Sequence, residues 1–369
     1  MPSNFTRRHS PRMKIVEYAP ERFDCLRCAA AGRGVPGLEY RPFVDYYYAT
    51  VPWCRLYMAI GKDGTVEGTI GVECLRFEYE SREISLGLAT NFHAFQPGIG
   101  GYLYMKWVKS CSGALEFGGS DDAHRVISST GKWTYFSGVK QYVLNHPFPV
   151  YPGDPWWRGA AKEIARAVLG RNIRYYARRI SAAAVSAISI QEEQSWSADI
   201  LPRRSPFQFR LAPTVEYLRW RYCTRLPFIC YRLFRILYEG SSAGYVILSD
   251  SRRRIIVAQC DGEDPKTLAY GVLLSVLETA RGDRRPRTVL LTSSHPEMQK
   301  IYSQFGFEFR GEQKKFAVSA LRGPVDLSSG VTNWLVNLDW GDEGVLREVE
   351  ERVRSQAAPS EADRRNMLI

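Results

Sequence analysis

The hydrophobic and polar positions of the chain follow one order of strand-like and helix-like runs, and that order occurs twice. In its first occurrence, between residues 13 and 146, a Gly-Lys-Asp-Gly turn at 61–64 separates two extended runs. An Asp-Gly turn between such runs is typical of a β-hairpin. The elements predicted here are strands at 13–18, 53–60, 65–79, 83–92, 114–117 and 138–144, and helices at 20–31, near 100–111 and from 120 onward.

The second occurrence lies between residues 207 and 340. It comprises predicted strands at 228–239, 242–250, 255–259, 288–292 and 316–320, and helices at 268–280 and 296–305. Hairpin, strand, helix, strand, helix and strand thus recur, which indicates two diverged copies of one α+β unit. The expected organisation is a flexible N-terminus (1–12), a first domain (13–146), a linker with a basic helix (147–206), a second domain (207–340) and a polar tail (341–369).

The composition fits a globular protein of two domains. The chain has 369 residues, of which 45% are hydrophobic and 24% charged, and this length exceeds one typical core. The eight cysteines form no dense framework, and Cys25 and Cys28 lack a second pair at zinc-finger spacing. We therefore expect no metal. No leader peptide and no apolar run of about 18 residues is visible, so we expect a cytoplasmic protein.

The net charge of +11 suits an anionic partner such as a membrane surface, a nucleic acid or a polyphosphate cofactor. The predicted helix at 156–179 carries Trp156, Trp157 and an excess of Lys and Arg, which is compatible with peripheral contact with an anionic membrane. Its apolar stripe drifts after Gly170, and a packed or solvated linker helix fits the pattern better. We do not expect a nucleic-acid partner.

A glycine-rich turn, Phe95-Gln-Pro-Gly-Ile-Gly-Gly-Tyr102, joins a predicted strand to a predicted helix. Such a unit directs several backbone N–H groups at one point, at the positive end of a helix dipole, and can hold a phosphate or pyrophosphate. An ordinary tight turn is the alternative. A dinucleotide-binding loop is excluded because Leu103 occupies the third glycine position and no acidic residue ends a second parallel strand.

Taken together, the order of elements and this turn resemble the GNAT superfamily of acyl-CoA-dependent N-acyltransferases. The sequence from Phe95 to Gly100 stands where the family has Arg/Gln-x-x-Gly-x-Gly, the loop that holds the acyl-CoA pyrophosphate. In the second copy, Tyr302, Gly306 and Phe307 match a Tyr-x-x-x-Gly-Phe helix ending. The resemblance covers most of residues 13–340 and implies two tandem GNAT-like units. Each would be a mixed, mainly antiparallel sheet flanked by helices.

Both copies depart from the family pattern. In the first copy Phe95 takes the position of the Arg/Gln, Pro97 removes a backbone donor, and Ile127 stands where the family has a tyrosine. The second copy keeps Tyr302, but its own loop at 260–265 is acidic and would repel a pyrophosphate. The resemblance therefore implies that the first copy binds acetyl-CoA or another acyl-CoA, while the second is a structural or acceptor-binding partner.

The resemblance also implies roles for individual residues. It places the strand that grips pantetheine and the thioester oxygen, followed by the pyrophosphate loop, at Leu88, Thr90, Phe92, Gln96, Gly98, Ile99, Gly100 and Gly101. Candidates for the base near the thioester are His93, Asp121, Asp122 and His124, and Tyr302 is a candidate general acid. His93 also has a structural interpretation. Asp121 and Asp122 form either a helix cap or a pair with a raised pKa.

The expected activity is transfer of an acyl group, in the first instance acetyl, to an amine of a small molecule, sugar or peptide. Two alternatives stay open: a non-catalytic tandem module that binds acyl-CoA, and a Fem-type transferase that uses aminoacyl-tRNA. The aromatic residues Tyr46, Tyr47, Tyr48 and Trp53 belong either to an acceptor pocket or to the core. The sequence does not indicate the oligomeric state.

Overall fold

The computed structural model describes residues 13–130, 132–144, 155–169, 186–280, 287–319, 330–341 and 343–357. Its strands are β1 (Lys14–Glu17), β2 (Cys54–Ile60), β3 (Val66–Tyr79), β4 (Arg82–Ala94), β5 (Gly113–Phe117), β6 (Thr134–Tyr135), β7 (Lys140–Leu144), β8 (Ile188–Glu193), β9 (Phe209–Leu211), β10 (Tyr231–Tyr238), β11 (Ser241–Asp250), β12 (Arg254–Gly262), β13 (Thr288–Ser293), β14 (Glu308–Glu312) and β15 (Phe316–Ser319). Its α-helices are α1 (Phe23–Ala31), α2 (Arg41–Ala49), α3 (Ile99–Val108), α4 (Asp121–Ser129), α5 (Trp156–Leu169), α6 (Val215–Arg221), α7 (Pro265–Ala280), α8 (Pro296–Phe305) and α9 (Glu343–Ala357).

These strands form two mixed sheets. The first has the order β1-β2-β3-β4-β5-β15-β6, with β9 added beside β3, and the second has the order β14-β7-β13-β12-β11-β10-β8. Within the described residues, β4 runs parallel to β5 and β12 runs parallel to β13, while the other named pairs are antiparallel. The predicted α+β class, with two mainly antiparallel sheets flanked by helices, is confirmed.

The two sheets exchange one strand. β15, from the C-terminal half, lies between β5 and β6 of the first sheet, with Phe316 opposite Phe117. β7, from the N-terminal half, lies between β13 and β14 of the second sheet, with Leu144 opposite Val289. Each sheet is therefore completed by the other half of the chain. The domain boundaries drawn from the sequence stay a prediction, but the sheets themselves do not coincide with contiguous segments.

Several elements, β8 and α2 among them, lie where the sequence pattern did not indicate them. β8 lies within the predicted linker and pairs with β10, where Arg232 and Arg235 bind Glu192 and Glu193 on its exposed edge. α2 begins with a proline in its first turn and buries Phe43, Val44, Tyr47 and Tyr48. The helix buries only one side of its run of three consecutive tyrosines. Such a run does not follow the spacing of an apolar helix face, so the sequence alone did not indicate this helix.

The helices cover the sheets so that one face of the first sheet carries α3 and α4. Trp107 of α3 donates from Nε1 to the backbone oxygen of Gly87 on β4 at 2.6 Å, which fixes the helix over the strand. Ile127 of α4 and Trp133 pack in the same cluster. The opposite face packs against α1, α2, α6 and residues 330–340, in a core that also contains side chains of the second sheet. A further cluster lies beneath α7 and α8.

Several predicted segments lie partly or wholly outside the described residues. The basic helix is described only as α5, where Trp156, Trp157 and Ile164 are exposed, and its continuation over 170–179 lies outside the described residues. The flexible N-terminus (1–12), Gly131 and residues 358–369 of the tail also lie outside them. Among the described helices, none combines the length and apolar character that a membrane crossing requires.

Candidate cofactor-binding and active site

The glycine-rich turn lies between β4 and α3 and leaves the start of the helix open. Gly98 is the N-cap of α3 and has φ of 85°, a left-handed conformation that favours glycine. Among the described residues no side chain caps the first turn, and Ile99 N donates to Gln96 O at 3.3 Å, which leaves the N–H groups of Gly98, Gly100 and Gly101 available to an anion. An added Cβ on Gly98 or Gly101 would meet nothing within 4 Å, so this space is open toward solvent.

β4 and β5 separate just before this turn. They pair in parallel from Leu86 with Gly113 to Leu88 with Leu115, and beyond Leu88 the edge of β4 that faces β5 has no further strand partner in the described residues. The two strands therefore open as a V. An extended ligand can enter such an opening and bond to the free backbone groups of the strand, in the manner of an added strand.

A β-bulge lies in the open part of β4. Gly71 of β3 pairs with Thr90 and Thr69 pairs with His93, so one extra residue is accommodated on β4, and Asn91 has a φ of 45°. The bulge is held from the α2 side, because Tyr48 Oη lies 2.7 Å from Asn91 Nδ2 and 3.1 Å from Thr90 Oγ1. These side-chain bonds fix the direction of the backbone within the V.

A polar cluster lies on the other arm of the V. Glu116 follows Leu115, the last residue of β5 that pairs with β4. Its side chain is 4% exposed, and its Oε1 is 3.0 Å from Nδ1 of His124 on α4. Burial raises the pKa of the Glu116 carboxyl, while His124 and Lys315 oppose that rise. The ring of Tyr135 meets the His124 ring edge to face at 5.3 Å. Burial raises the pKa of Tyr135 to about 12, with a smaller contribution from Glu116.

The exchanged strand contributes to this cluster. Lys315, which directly precedes β15, donates to the backbone oxygen of Gly119 at 2.7 Å and pairs with Asp121 Oδ1 at 2.7 Å. Gly118 and Gly119 both have positive φ values and turn the chain from β5 into α4, which brings His124 back over Glu116. The C-terminal half therefore supplies a cation next to the V of the first sheet.

The predicted cofactor-binding residues lie around the V and the turn. Leu88 ends the pairing of β4 with β5, and Thr90 is buried and bonded to Tyr48. The Phe92 ring packs 6.5 Å from that of Trp107. The remaining members lie in the turn or the first turn of α3, and they are Gln96, Gly98, Ile99, Gly100 and Gly101. The fold thus brings the predicted set to one site, while its role stays a prediction.

The predicted bases occupy different environments. The ring of His93 stacks on Phe95 at 6.1 Å, and burial lowers the His93 pKa to about 4, so this imidazole is neutral at pH 7. Asp121 and Asp122 lie in the exposed first turn of α4, whose N-cap is Ser120. Lys315 lowers the pKa of Asp121, which contradicts the raised-pKa alternative for this residue. The N-cap bond is made by Ser120 Oγ, which accepts from Ala123 N at 3.2 Å, and the two aspartates follow it in the first helical turn.

Tyr302 lies in the other half of the molecule. It is 1% exposed on α8, and its ring packs against Phe307 and Tyr142 beneath the second sheet. Burial raises its pKa well above that of a free tyrosine. The structure therefore does not bring Tyr302 together with the glycine turn. Its predicted role as a general acid would require chemistry at the second sheet.

The equivalent opening of the second sheet is filled by the chain itself. β12 and β13 pair only from Arg254 to Ile256 on β12. Beyond that point Asn337 Oδ1 accepts from Cys260 N at 3.0 Å and Asn337 Nδ2 donates to Cys260 O at 3.2 Å. Thr292 of β13 donates to Val336 O at 2.9 Å. Residues 336 and 337 thus occupy this V.

The start of α7 is likewise occupied. Asp264 Oδ2 accepts from Thr267 N at 2.7 Å, which is an N-cap bond made by a carboxylate at the position where the first sheet has a bare glycine turn. Asp261, predicted to lie in this acidic loop, instead lies on β12, fully buried and paired with Arg210 at 2.6 Å. Burial raises its pKa to about 6.

The sequence prediction missed several residues of this site. His124 was among the candidate bases, but Glu116, Tyr135, Lys315 and Asn91 were not identified, and Tyr48 was named only as a residue of an acceptor pocket or of the core. One signal was available, namely a glutamate within the otherwise apolar strand Ala-Leu-Glu-Phe. A charged residue in a buried strand requires a partner, which His124 supplies.

No protein-family model matches this sequence, and no curated protein sequence matches it. Among solved structures, the Saccharomyces cerevisiae N-myristoyltransferase with bound myristoyl-CoA superposes with a TM-score of 0.53 at 10% identity, covering 85% of each chain. A conserved protein of unknown function from Enterococcus faecalis V583, described as a probable N-acyltransferase, gives 0.50 at 8% identity, covering 83% of this chain and 71% of its own. At these identities the similarity shows the fold alone, and this chain shares its fold with these two structures.

A tandem GNAT protein from the clavulanic acid biosynthesis pathway is also similar, with a TM-score of 0.49 and 13% identity over 85% of this chain and 100% of its own. We refer to the first sheet with α1 to α4 as the N-terminal unit and to the second sheet with α7 and α8 as the C-terminal unit. Among the described residues, no segment fills the V of the N-terminal unit, whereas residues 336 and 337 fill that of the C-terminal unit.

Proposed function

We propose that this protein is an N-acyltransferase that uses an acyl-CoA, with acetyl-CoA as the first candidate donor. The pyrophosphate would bind at Gly98, Ile99, Gly100 and Gly101, and the pantetheine arm would bind along the free edge of β4. The observation that supports this most is the contrast between the two units. Among the described residues, the phosphate position and the V are open together in the N-terminal unit and filled together in the C-terminal unit.

In the proposed reaction, a neutral amine attacks the thioester carbonyl directly, without an acyl-enzyme intermediate. The backbone N–H groups near the bulge would stabilise the charge that develops on the carbonyl oxygen. We propose an amine of a small molecule, sugar or peptide as the acceptor. The cytoplasmic location expected from the sequence remains part of this proposal.

The first experiment measures binding of acetyl-CoA by thermal shift and compares Gly100→Asp with the wild type. A carboxylate in the first turn of α3 would repel the pyrophosphate, while it would not destabilise the helix, because acidic groups are favourable there. An added Cβ at Gly100 meets only Ala94 Cβ at 3.5 Å, an ordinary contact. At a hundredfold excess over Kd, acetyl-CoA should stabilise the wild type by about 3 kcal/mol and the variant by far less.

Gly159→Asp is the matched control. Gly159 lies in the first turns of α5, and an added Cβ there meets nothing within 4 Å, so the same substitution changes charge and helix start without touching the site. This variant should keep the full shift. A wild-type protein that shows no shift with acetyl-CoA or a longer acyl-CoA would contradict the proposal.

Release of free CoA thiol across a panel of amines then separates an enzyme from a binding module. Turnover that depends on one class of amine supports the transferase. Saturable binding without thiol release would instead favour a non-catalytic acyl-CoA-binding protein. Binding of aminoacyl-tRNA that weakens steeply with salt would favour a Fem-type activity.

A further inference from the structure

Glu116 and His124 form a hydrogen-bonded pair next to the open end of the V. Glu116 is the residue of β5 that follows the parallel pairing with β4, so it lies opposite the free part of β4 from Ala89 onward. Its Oε1 is 3.0 Å from His124 Nδ1, and its Oε2 is buried without a hydrogen-bond partner among the described residues. A buried, unsatisfied carboxylate oxygen is rare in a native structure and needs an explanation.

The side chain of His124 connects this buried carboxylate to solvent. Its exposed fraction is 32%, compared with 4% for Glu116. When the carboxylate accepts from Nδ1–H, the other ring nitrogen, Nε2, carries a free lone pair. The Tyr135 ring packs against the imidazole and limits its rotation.

The charged groups around the pair come from every neighbouring element. Lys315 precedes β15 and opposes the rise that burial causes in the pKa of Glu116. Asp121 and Arg125 lie on α4 itself, and Tyr135 lies on β6. Tyr104 of α3 donates toward Thr130 and accepts from Trp133, so it is engaged elsewhere. The local charge is thus mixed, and His124 is the titratable group that bonds directly to Glu116.

We propose that Glu116 and His124 form the proton relay of the acyl-transfer reaction. This inference rests on the proposed function. His124 Nε2 accepts the proton that the amine nitrogen loses as its lone pair forms the new N–C bond. When the C–S bond of the tetrahedral intermediate breaks, the sulfur leaves with the electron pair and takes that proton from Nε2. Glu116 stabilises the intermediate imidazolium and keeps the Nδ1–H tautomer. His124 is the catalytic residue and Glu116 the positioning residue.

The kinetic test compares His124→Gln and Glu116→Gln with wild type, using the amine that supports thiol release or, without one, the hydrolysis of acetyl-CoA. We expect kcat to fall about 10²- to 10⁴-fold in His124→Gln, with KM for acetyl-CoA within a few-fold of wild type. A general base must be unprotonated to accept the proton, so the wild-type rate should fall toward acidic pH, and His124→Gln should lose this part of the pH dependence.

Ser128→Gln is the matched control on the same helix. Ser128 is exposed on α4, and glutamine is a better helix former than serine, so this variant should keep wild-type kcat and the wild-type pH profile. Unchanged kcat and pH dependence in His124→Gln, in an enzyme that binds and consumes acetyl-CoA, would overturn the relay and leave the proposed function intact. Failure of the wild type to bind acyl-CoA would overturn both.

A spectroscopic test addresses the positioning role of Glu116 independently of turnover. The full chain has five histidines, so ¹⁵N-labelled imidazoles can be resolved, and His124→Gln assigns the signal of interest. We expect neutral His124 to carry its proton on Nδ1, and Glu116→Gln to shift the population toward the Nε2–H tautomer. An Nε2–H tautomer in the wild type would overturn the proposal.

Discussion

At the scale of single residues, a few side chains decide which of two similar openings can receive a ligand. Gly98 leaves the start of α3 bare, whereas Asp264 caps the start of α7 with a carboxylate. Asn337 satisfies both backbone groups of Cys260 on β12. The segment in the C-terminal V makes its bonds through the Val336 backbone oxygen and the Asn337 side-chain amide, which replace the bonds that a ligand would make.

The first residue-scale prediction concerns Tyr302. If turnover occurs in the N-terminal unit, Tyr302→Phe should keep kcat for thiol release within about threefold of wild type, since the ring and its packing against Tyr142 and Phe307 are retained. Steady-state thiol release measures this directly. A fall of a hundredfold or more, without a change in thermal stability, would support the sequence-based assignment of Tyr302 as general acid and place chemistry in the C-terminal unit.

Part of the site could be predicted from sequence because it is local. The glycine turn, its preceding strand and the helix that follows are contiguous, so their order alone indicated an anion site. The bond from His124 to Glu116 spans only eight residues, but it depends on two positive-φ glycines that reverse the chain. The contribution of Lys315 depends on a strand from the other half, which no local pattern reveals.

At the scale of elements, the exchange of β7 and β15 explains why the sequence repeat was visible while the strand pairing was not. Hydrophobic alternation reports that a run is a strand, but not which sheet it joins. Residues 334–340 have no regular alternation, yet they pack against both sheets. Leu335 N donates to Phe209 O at 2.8 Å, and Ser294 Oγ donates to Trp334 O at 2.5 Å.

The element-scale prediction concerns the segment that fills the C-terminal V. Asn337→Ala removes the side-chain bonds to Cys260 N and O and leaves these buried groups without them, so the free energy of unfolding should fall by about 1–3 kcal/mol. Urea denaturation measures the change. Asn333→Ala, an exposed asparagine of the same segment, should change it by less than about 0.5 kcal/mol. Equal effects in the two variants would show that the side-chain bonds of Asn337 do not stabilise the C-terminal unit.

At the scale of the whole molecule, a buried ion cluster joins the halves. Arg221 of α6 is 2% exposed and lies 3.3 Å from Glu73 of β3 and 2.9 Å from Asp339. Tyr217 donates to Glu73 at 2.6 Å. Burial raises the pKa of Asp339 to about 6, and the charge of Arg221 opposes that rise. One cation thus compensates two carboxylates taken from distant parts of the chain.

The whole-molecule prediction uses Arg221→Met, which removes that cation. The folded-state pKa of Asp339 lies above its unfolded value near 4. Ionisation of this carboxyl therefore lowers the free energy of unfolding of the wild type as pH rises from about 4 through 6. Without Arg221 the pKa rises further, so the loss continues to higher pH. In urea denaturation, the free energy of unfolding of Arg221→Met should lie about 3–5 kcal/mol below that of the wild type at pH 8, and this difference should be clearly smaller at pH 5. Arg219→Met, an exposed arginine on the same helix, should differ little from wild type at either pH. A deficit for Arg221→Met that is the same at both pH values would mean that lost packing, and not uncompensated buried charge, accounts for it.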